Sequence, residues 1–337
     1  MKRYCGEPLP PRPRIAVVSN DAIGNYVVVT PLLQMLRSAH QPAELHYFSG
    51  PRTQELWSVD PKIDAGCCFL GMAPREAAAE VLCAQPYDLV VNVEWSVWAK
   101  SFTALLAGQN TFVCGPSLNS TGRGDLPFPL DQQGRLWQDQ EWISPDLVST
   151  YPFLRTGYIG EIFCRLAYLL GEVPLYDVPS AAISGPIPDV LIAMSASLED
   201  KLWPLESWVE ALSCLRARGL SVGLLGAKPS NQSAFWLGSA AEAAVVEQGL
   251  AEDLRGQFTL PQVVGALGRA KVVLTLDNGI LHLSCAAGTP TVGLFREGIH
   301  RLWAPPAPKL KVLAPLAGAP VSSISVERVL EAIDRAG

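Results

Sequence analysis

The chain has 337 residues, of which 49% are apolar and 17% charged, and its formal net charge is −6. This length exceeds the usual size of a single hydrophobic core and predicts two domains, while the composition excludes an intrinsically disordered chain. The acidic balance, without any run of Lys and Arg, argues against a general nucleic-acid-binding protein.

The first half of the chain begins with a proline-rich segment and continues as an alternation of strands and helices. Residues 1–13 lack the apolar core of a signal peptide, so we expect a flexible leader. A buried strand over 14–19 and a polar turn over 20–25 precede a helix over 27–38, in which Thr30-Pro31 predicts a kink or a late start. Further strands are predicted over 44–49, 67–70, 88–93 and 111–114, and further helices over 52–58, 74–84 and 97–107.

The alternation stops at residue 115 and restarts at residue 189. Residues 115–156 predict a long loop, which is followed by a helix over 158–170 and a proline-rich linker over 171–188. The second half has predicted strands at 189–194, 220–225, 272–276 and 291–295 and predicted helices at 204–218, 233–247 and 260–270. This pattern predicts two α/β halves with parallel sheets that face each other across a cleft, where ligands bind outside the carboxyl ends of the strands. The sequence does not place the final helix, 325–336, on either half.

Two further features of the sequence indicate the cellular compartment and whether a metal site is expected. Eight cysteines form no Cys-x-x-Cys pair and are accompanied by only four histidines, so we expect neither a disulfide framework nor a zinc site. No apolar run is long enough to span a bilayer. We therefore expect a cytoplasmic protein without an integral membrane segment.

The interpretation depends most on Asp277-Asn278-Gly279, which lies between an apolar strand and a small-residue helix. A helix N-terminus offers free N–H groups and a partial positive charge, for which a phosphate is a natural ligand. A plain helix cap by Asp277 or Asn278 explains the local pattern equally well. His282, one turn into this helix, either turns its ring to the strand ends or is a buried core histidine.

Three residues after the strand 189–194 suit the same ligand. Ser195 and Ser197 offer hydroxyl groups to phosphate oxygens, and Lys201 offers a point charge. The alternative is a solvent-exposed loop with a capping serine. The chain lacks an Asp-x-Asp pair that would hold a metal–diphosphate complex, so Lys201, hydroxyls and helix N-termini would meet the diphosphate charge.

Carboxylates are expected at the corresponding edge of the first sheet. Asp21 and Asn25 flank Gly24 in the turn after the first strand, and Asp21 is either a base for a hydroxyl nucleophile or a plain helix cap. Glu94, after the strand 88–93, is a second candidate base.

Trp95 and Lys100 follow Glu94 closely and are typical of a sugar-binding wall, although a core position is the default for tryptophan. The chain has no G-x-G-x-x-G, Walker, G-x-S-x-G or H-E-x-x-H motif, so several common classes of enzyme are disfavoured.

These motifs, in this order, resemble the heptosyltransferase family of glycosyltransferases (family nine) from about Arg14 to Pro305. The family's opening Ser-Ser-Ile-Gly-Asp and Thr-Pro-Leu-Leu are similar to residues 21–25 and 30–33 here. Its Asp-Leu-Gln-Gly signature, with a later Lys/Arg-Ser, is similar to residues 92–95 with Lys100-Ser101.

The second half carries the more specific part of the resemblance. The family's donor-domain lysine, which precedes an aromatic-Pro pair, is similar to Lys201-Leu-Trp203-Pro204. The family's Asp-Thr/Ser-Gly, His-Leu and Gly-Thr-Pro-Thr-Val are similar to Asp277-Asn278-Gly279, His282-Leu283 and residues 288–292.

The resemblance implies a GT-B fold with two Rossmann-like domains, one binding the acceptor (14–178) and one binding the nucleotide sugar (179–337), with the last helix free to pack back on the first. It implies an inverting, metal-independent transfer of a heptose-type sugar from ADP-heptose to a hydroxyl acceptor, either lipopolysaccharide core or a small molecule, without a cofactor. The implied residues are catalytic Asp21, Glu94, Asn25 and Lys201, donor-binding Ser195, Ser197, Asp277, Asn278, Gly279 and His282, and acceptor-binding Gly24, Trp95 and Lys100.

Three departures from the family pattern leave alternatives open. Asn25 stands where the family has its aspartate base, so Asp21 or Glu94 substitutes, the acceptor needs less activation, or the chain is not catalytic. Asn278 replaces a threonine or serine, and residues 226–231 hold no clear counterpart of the family's acidic nucleoside contact. A catalytically impaired nucleotide-sugar-binding protein, or a GT-B enzyme for another nucleotide sugar, therefore remains an alternative.

Overall fold

The computed structural model describes residues 1–73, 75–77, 79, 85–228 and 236–336. The chain divides into two compact units, Met1–Asp177 and Val178–Gly337. Each unit is built on one six-stranded sheet whose neighbouring strands all pair in parallel. The predicted α/β class with two parallel sheets is confirmed.

The first unit has the strand order β1-β6-β5-β2-β3-β4. Its strands are β1 (Lys2–Arg3), β2 (Arg14–Val18), β3 (Glu44–Phe48), β4 (Ala65–Cys67), β5 (Leu89–Asn92) and β6 (Phe112–Cys114). Its described helices are α1 (Ile23–His40), α2 (Gln54–Trp57), α3 (Val97–Leu106), α4 (Gln132–Gln138), α5 (Leu147–Thr150) and α6 (Ile159–Leu166). The central strand β2 is apolar from Ile15 onward because both of its faces are covered there, and Ile15 to Val18 are fully buried.

The second unit has the strand order β12-β11-β10-β7-β8-β9, in which the five strands from β7 to β11 are arranged as β2 to β6 are in the first unit. The sixth strand differs, because β1 comes before these five in the chain and β12 comes after them. Its strands are β7 (Val190–Ala193), β8 (Val222–Leu224), β9 (Glu252–Asp253), β10 (Val272–Leu276), β11 (Thr291–Leu294) and β12 (Leu310–Leu313). Its described helices are α7 (Leu205–Ala217), α8 (Ser239–Glu247), α9 (Leu260–Leu267), α10 (Gly279–Ala286), α11 (His300–Trp303) and α12 (Val326–Asp334).

Helix α1 begins at Ile23 and continues through Pro31, so the predicted late helix start is wrong. Proline lacks the N–H that would bond to the carbonyl of Val27 one turn earlier. The hydroxyl of Thr30 donates to that carbonyl instead, at 2.7 Å. The Thr-Pro pair therefore supplies the donor that the proline removes, and the helix continues.

The N-terminal segment is part of the first sheet, so the expectation of a flexible leader over residues 1–13 is wrong at its start. Lys2–Arg3 pair in parallel with β6. Tyr4 is buried, and its ring lies 5.8 Å from that of Phe112, edge to face. Arg3 donates to backbone carbonyls in the loop after β6, including that of Pro127 at 2.9 Å. The segment thereby fixes the beginning of the long loop.

The final helix α12 packs within the second unit. Val329 is fully buried and belongs to the same hydrophobic core as β7, β10 and β11. Just before this helix, the carbonyl of Ile324 accepts a hydrogen bond from the indole of Trp203 at 2.8 Å.

Several predicted bounds differ from the structure. The strand predicted at 67–70 is β4, which ends at Cys67, and the loop predicted over 115–156 contains the short helices α4 and α5. The helix predicted over 74–84 and the start of the one predicted over 233–247 fall largely outside the described residues. No helix in the described part of the chain is long and apolar enough to cross a bilayer.

Candidate functional site

The second sheet has its topological switch point between β7 and β10, because the chain proceeds from these two strands toward opposite edges. In open α/β sheets, ligands bind outside the carboxyl ends of the strands at such a point. The segment after β7 contains Ser195, Ser197 and Lys201, and the segment after β10 contains Asp277 and Asn278. The fold therefore places these predicted residues at the same edge of the sheet.

An ion pair joins the two segments. The Lys201 ammonium lies 2.7 Å from Oδ2 of Asp277 and 3.2 Å from its carbonyl oxygen. The two side chains are only 15% and 7% exposed, so the pair is largely withdrawn from water. Lys201 ends a short 3₁₀ turn, Glu199–Lys201, which brings its side chain back over the strand ends. The lysine charge is thus held at the switch point and balanced by one carboxylate.

Asn278 caps helix α10, as the simpler of the two sequence interpretations predicts. Its side-chain oxygen accepts from the backbone N–H groups of Ile280 and Leu281, at 2.9 and 3.4 Å. Its side-chain amide donates to the carbonyl of Ser195 at 2.9 Å. One side chain therefore caps the helix and ties the segment after β10 to the segment after β7. An anion at this helix end would have to share or replace the cap, so the anion site stays a prediction.

His282 is 3% exposed, which agrees with the core-histidine alternative for its location. Burial lowers the pKa of its ring to about 4, while the nearby Asp277 raises the pKa and Lys201 lowers it to smaller extents. Its ring meets Trp303 edge to face, with 6.5 Å between centroids. His282 is therefore neutral at neutral pH and lies close enough to the Lys201–Asp277 pair to sense its charges.

The two serines differ in environment. Ser195 is half-buried and Ser197 is exposed. Ala196, between them, forms an antiparallel bridge with Leu237, whose N–H donates to the Ala196 carbonyl at 2.8 Å. This bridge fixes the loop backbone that carries both hydroxyl groups.

Arg296 is a residue at this edge that the sequence analysis missed. It follows β11, which neighbours β10, and its Nη1 lies 2.8 Å from Oδ2 of Asp200, the residue before Lys201. No familiar motif surrounds Arg296. Its position two residues after a buried strand nevertheless indicates the edge of the sheet at which ligands bind.

The first sheet has its switch point between β2 and β5, where Glu94 is found. The side-chain amide of Asn20 donates to one oxygen of Glu94 at 2.9 Å, and the N–H of Ser96 donates to the other at 3.0 Å. Both donors are neutral, and within the described ranges Glu94 has no ion pair. Glu94 is therefore a half-buried carboxylate at the expected edge without a cation beside it.

Asp21 turns away from this switch point. Its oxygens accept from the backbone N–H of Arg52 at 2.8 Å and from that residue's Nε at 3.2 Å. The carboxylate packs over Gly50, where an added Cβ would lie 2.2 Å from its Cγ. Asp21 does not cap α1: Ala22 occupies the N-cap position, and no side chain accepts a hydrogen bond from the first turn there. The structure thus separates the two candidate bases.

Gly24 and Asn25 lie in the first turn of α1 and are partly exposed. Trp95 is 44% exposed and contacts Phe128 and Trp137, with ring centroids 5.7 and 6.3 Å away.

Lys100 lies 5.6 Å from the centre of the Trp95 ring and 2.8 Å from a carboxylate oxygen of Asp125. The predicted wall is therefore aromatic, and its lysine already has an anionic partner. Within the described ranges, no group of three or more His, Cys, Asp or Glu side chains could hold a metal ion.

The chain is similar to known proteins in both sequence and fold. The family model described as glycosyltransferase family 9 (heptosyltransferase) matches residues 177–320. Lipopolysaccharide heptosyltransferase 1 of Salmonella typhimurium is 22% identical over 230 residues, which are 66% of this chain and 65% of that protein. The match thus spans slightly less than two thirds of that relative.

Solved structures share the fold over nearly the whole chain. A family 9 glycosyl transferase from Veillonella parvula has a TM-score of 0.76 at 17% identity and covers 97% of this chain and 98% of its own. The E. coli heptosyltransferase WaaC with ADP-2-deoxy-2-fluoro heptose has a TM-score of 0.65 at 19% identity, with 96% and 100% covered. An iron-containing heptosyltransferase, TibC, has a TM-score of 0.59 at 15% identity, with 97% and 77% covered. At these identities the structures establish a common GT-B fold.

Proposed function

We propose that this chain, a heptosyltransferase-like member of glycosyltransferase family 9, transfers a heptose-type sugar from ADP-heptose to a hydroxyl group of an acceptor. The observation that carries the proposal is the Lys201–Asp277 pair at the switch point of the second sheet, inside the region that matches the family model. The related heptosyltransferase WaaC was solved with an ADP-heptose analogue, which supports the choice of donor.

The proposed reaction is a direct displacement at the anomeric carbon that inverts its configuration and needs no metal. The acceptor oxygen attacks the anomeric carbon while a carboxylate takes its proton. The bond from that carbon to the diphosphate breaks, and its electron pair leaves with ADP. Lys201 and the N-terminal end of α10 would stabilise the charge that develops on the leaving diphosphate, an effect that reaches about 3 kcal/mol in other enzymes.

Glu94 is the carboxylate we propose as the base. A base must have an oxygen that can accept a proton, and both partners of Glu94 are neutral donors that tolerate this. Asp21 is held by Arg52, and Asn25 has no carboxylate to protonate. In this mechanism Asp21 positions the chain after β3.

The acceptor is proposed to be either lipopolysaccharide core or a small molecule with a free hydroxyl. Trp95 offers an exposed aromatic face close to Glu94, against which the C–H face of a sugar ring would pack. Lys100 is already paired with Asp125, so this wall has little unbalanced positive charge for an anionic acceptor. The nearly balanced charge of this wall favours an acceptor that is uncharged where it binds.

The decisive experiment measures ADP release by the purified chain supplied with ADP-heptose and a panel of hydroxyl acceptors. We expect release that depends on the acceptor and that persists in the presence of a chelator. Calorimetry with ADP, GDP, UDP and CDP then identifies the nucleotide. If the chain binds ADP tightly but releases no ADP from ADP-heptose with any of the acceptors, the proposed reaction is contradicted. If it prefers another nucleotide, the donor is a sugar nucleotide of that kind and not ADP-heptose.

A nucleotide-sugar-binding protein that has lost catalysis is the second candidate, and Asn25 favours it. The discriminating variant is Asn25→Asp, whose new carboxylate would lie in the first turn of α1 near the positive end of the helix. With Glu94 as the base, we expect little change in turnover. A gain of about 100-fold, the usual contribution of a general base, would instead show that the natural chain is impaired.

A further inference from the structure

Arg296 has an incomplete set of hydrogen bonds. Its Nη1 is paired with Asp200, but its Nε is buried and has no acceptor among the described residues. Buried donors are nearly always satisfied, so a buried guanidinium nitrogen without an acceptor suggests a missing partner. A guanidinium presents its donors as a planar fork suited to two oxygens of a phosphate.

The position of Arg296 relates it directly to the Lys201–Asp277 pair. Leu276 of β10 lies opposite Leu294 of β11. Asn278 and Arg296 each come two residues after this pair. Adjacent strands are about 4.8 Å apart, which places the two segments side by side at the carboxyl edge of the sheet. The Asp200 contact ties Arg296 to the residue next to Lys201, so both cations belong to one edge.

The ion pair of Arg296 is suited to exchange. Asp200 is 58% exposed and Arg296 is 27% exposed, so one partner of the pair is well solvated and the pair contributes less to stability than a buried one. The Lys201–Asp277 pair is much more buried, so it is the fixed element of the two. A dianionic ligand at this edge would compete with Asp200 for the guanidinium far more easily than with Asp277 for the ammonium.

We propose that Arg296 is a second cation for the diphosphate of the sugar nucleotide and that Asp200 occupies it when the site is empty. This inference rests on the proposed function, because it assigns one more residue to the same donor. On binding, the guanidinium exchanges the carboxylate of Asp200 for phosphate oxygens, and Nε gains an acceptor. Asp200 therefore competes with the ligand, and Arg296 contributes to donor affinity beyond Lys201.

The test compares three variants of the full chain by calorimetry with ADP and with AMP. Arg296→Gln should weaken ADP binding about tenfold and AMP binding less, because AMP has one phosphate fewer. Asp200→Asn should strengthen ADP binding several-fold by removing the competitor. Arg301→Gln is the matched control, since Arg301 is in the same segment and pairs only loosely with Glu297, at 3.7 Å; it should leave both affinities unchanged.

Whether Asp200→Asn strengthens or weakens ADP binding decides whether Arg296 binds the ligand or only supports the structure. If the Arg296–Asp200 pair merely holds the turn Glu199–Lys201 in place, both variants should weaken ADP binding together, and the proposal is overturned. Unchanged ADP affinity in Arg296→Gln also overturns it while the proposed function stands. A natural chain that binds none of ADP, GDP, UDP and CDP overturns the proposed function and this inference together. Melting temperatures confirm that each variant is folded.

Discussion

The two units have the same strand order around their switch points, but the side chains at these points differ in charge. In the first unit the segments after β2 and β5 meet through Asn20 and Glu94, a neutral amide on a carboxylate. In the second unit the segments after β7 and β10 meet through an ammonium–carboxylate pair, Lys201 and Asp277. The same backbone architecture therefore presents a proton acceptor at one edge and a cation at the other. This contrast fits a reaction that needs a base for the acceptor and positive charge for the leaving group.

The largest effect is expected at the cation of the second switch point. Lys201→Met should lower turnover by about 100- to 1000-fold, because the departing diphosphate loses its nearest fixed positive charge. Lys271→Met is the matched control: Lys271 precedes β10 at the opposite edge, is 68% exposed and pairs with Asp189. Steady-state turnover of both variants checks this. Comparable losses in the two, or none in Lys201→Met, would contradict the assignment.

Removing Lys201 also leaves the buried carboxylate of Asp277 without its cation, which destabilises the fold. The double variant with Asp277→Asn separates the two effects. It should recover most of the melting temperature without recovering turnover. Recovery of both would mean that Lys201 has only a structural role.

The next effect tests the base at the first switch point. Glu94→Gln should lower turnover about 100-fold with ADP affinity unchanged, because the amide cannot take the acceptor proton. Asp21→Asn should lower turnover much less and destabilise the unit by about 1 kcal/mol at most, since its pair with Arg52 is partly exposed. Parallel turnover and melting measurements distinguish the two carboxylates. The reverse order of effects on turnover would make Asp21 the base.

A further effect concerns the stability of the second unit in acid. Burial lowers the pKa of His282 to about 4, below its unfolded value of about 6.5, so protonation favours the unfolded chain. The stability from the neutral ring is complete above about pH 6.5 and is lost as the pH falls toward 4. From pH 7 to pH 5 the loss should be about 2 kcal/mol.

His282→Gln should remove this dependence, which denaturant titrations at several pH values measure. Between pH 7 and pH 8 the difference in unfolding free energy between the variant and the natural chain should stay constant. An equally steep loss below pH 6.5 in the variant would assign the acid sensitivity to other groups.

The interior of each sheet was predictable from sequence, and its edges were not. All interior strands were found, most of them because they are buried on both faces and consist of apolar runs, as in β10. β3, with Glu44 and His46 half-buried, was found from its alternation instead. The edge strands β1, β9 and β12 were missed and β4 was misplaced. β1 and β9 have only two residues each, and β12 is largely half-buried, so neither alternation nor an apolar run marks them.

The candidate site was predictable where a residue follows an interior strand. Lys201, Asp277 and Glu94 all lie at the expected sheet edges. Which partner each residue holds was not predictable, because it depends on loop geometry: the Arg52 contact of Asp21 and the dual role of Asn278 are examples. Their roles in donor and acceptor binding remain predictions for the experiments above.

The cap on helix α10 has a chemical consequence for handling the protein. Asn-Gly is the dipeptide in which the following backbone nitrogen most readily attacks the side-chain carbonyl, releasing ammonia and forming a cyclic imide, which water then opens to aspartate or isoaspartate. In the folded chain both ends of the Asn278 amide are held by hydrogen bonds, which opposes this attack. Partial unfolding frees the amide, and alkaline storage promotes the attack by deprotonating the backbone nitrogen. The resulting negative charge would face the Ser195 carbonyl and repel any anion at this edge, so aged preparations should lose affinity for ADP while keeping their fold.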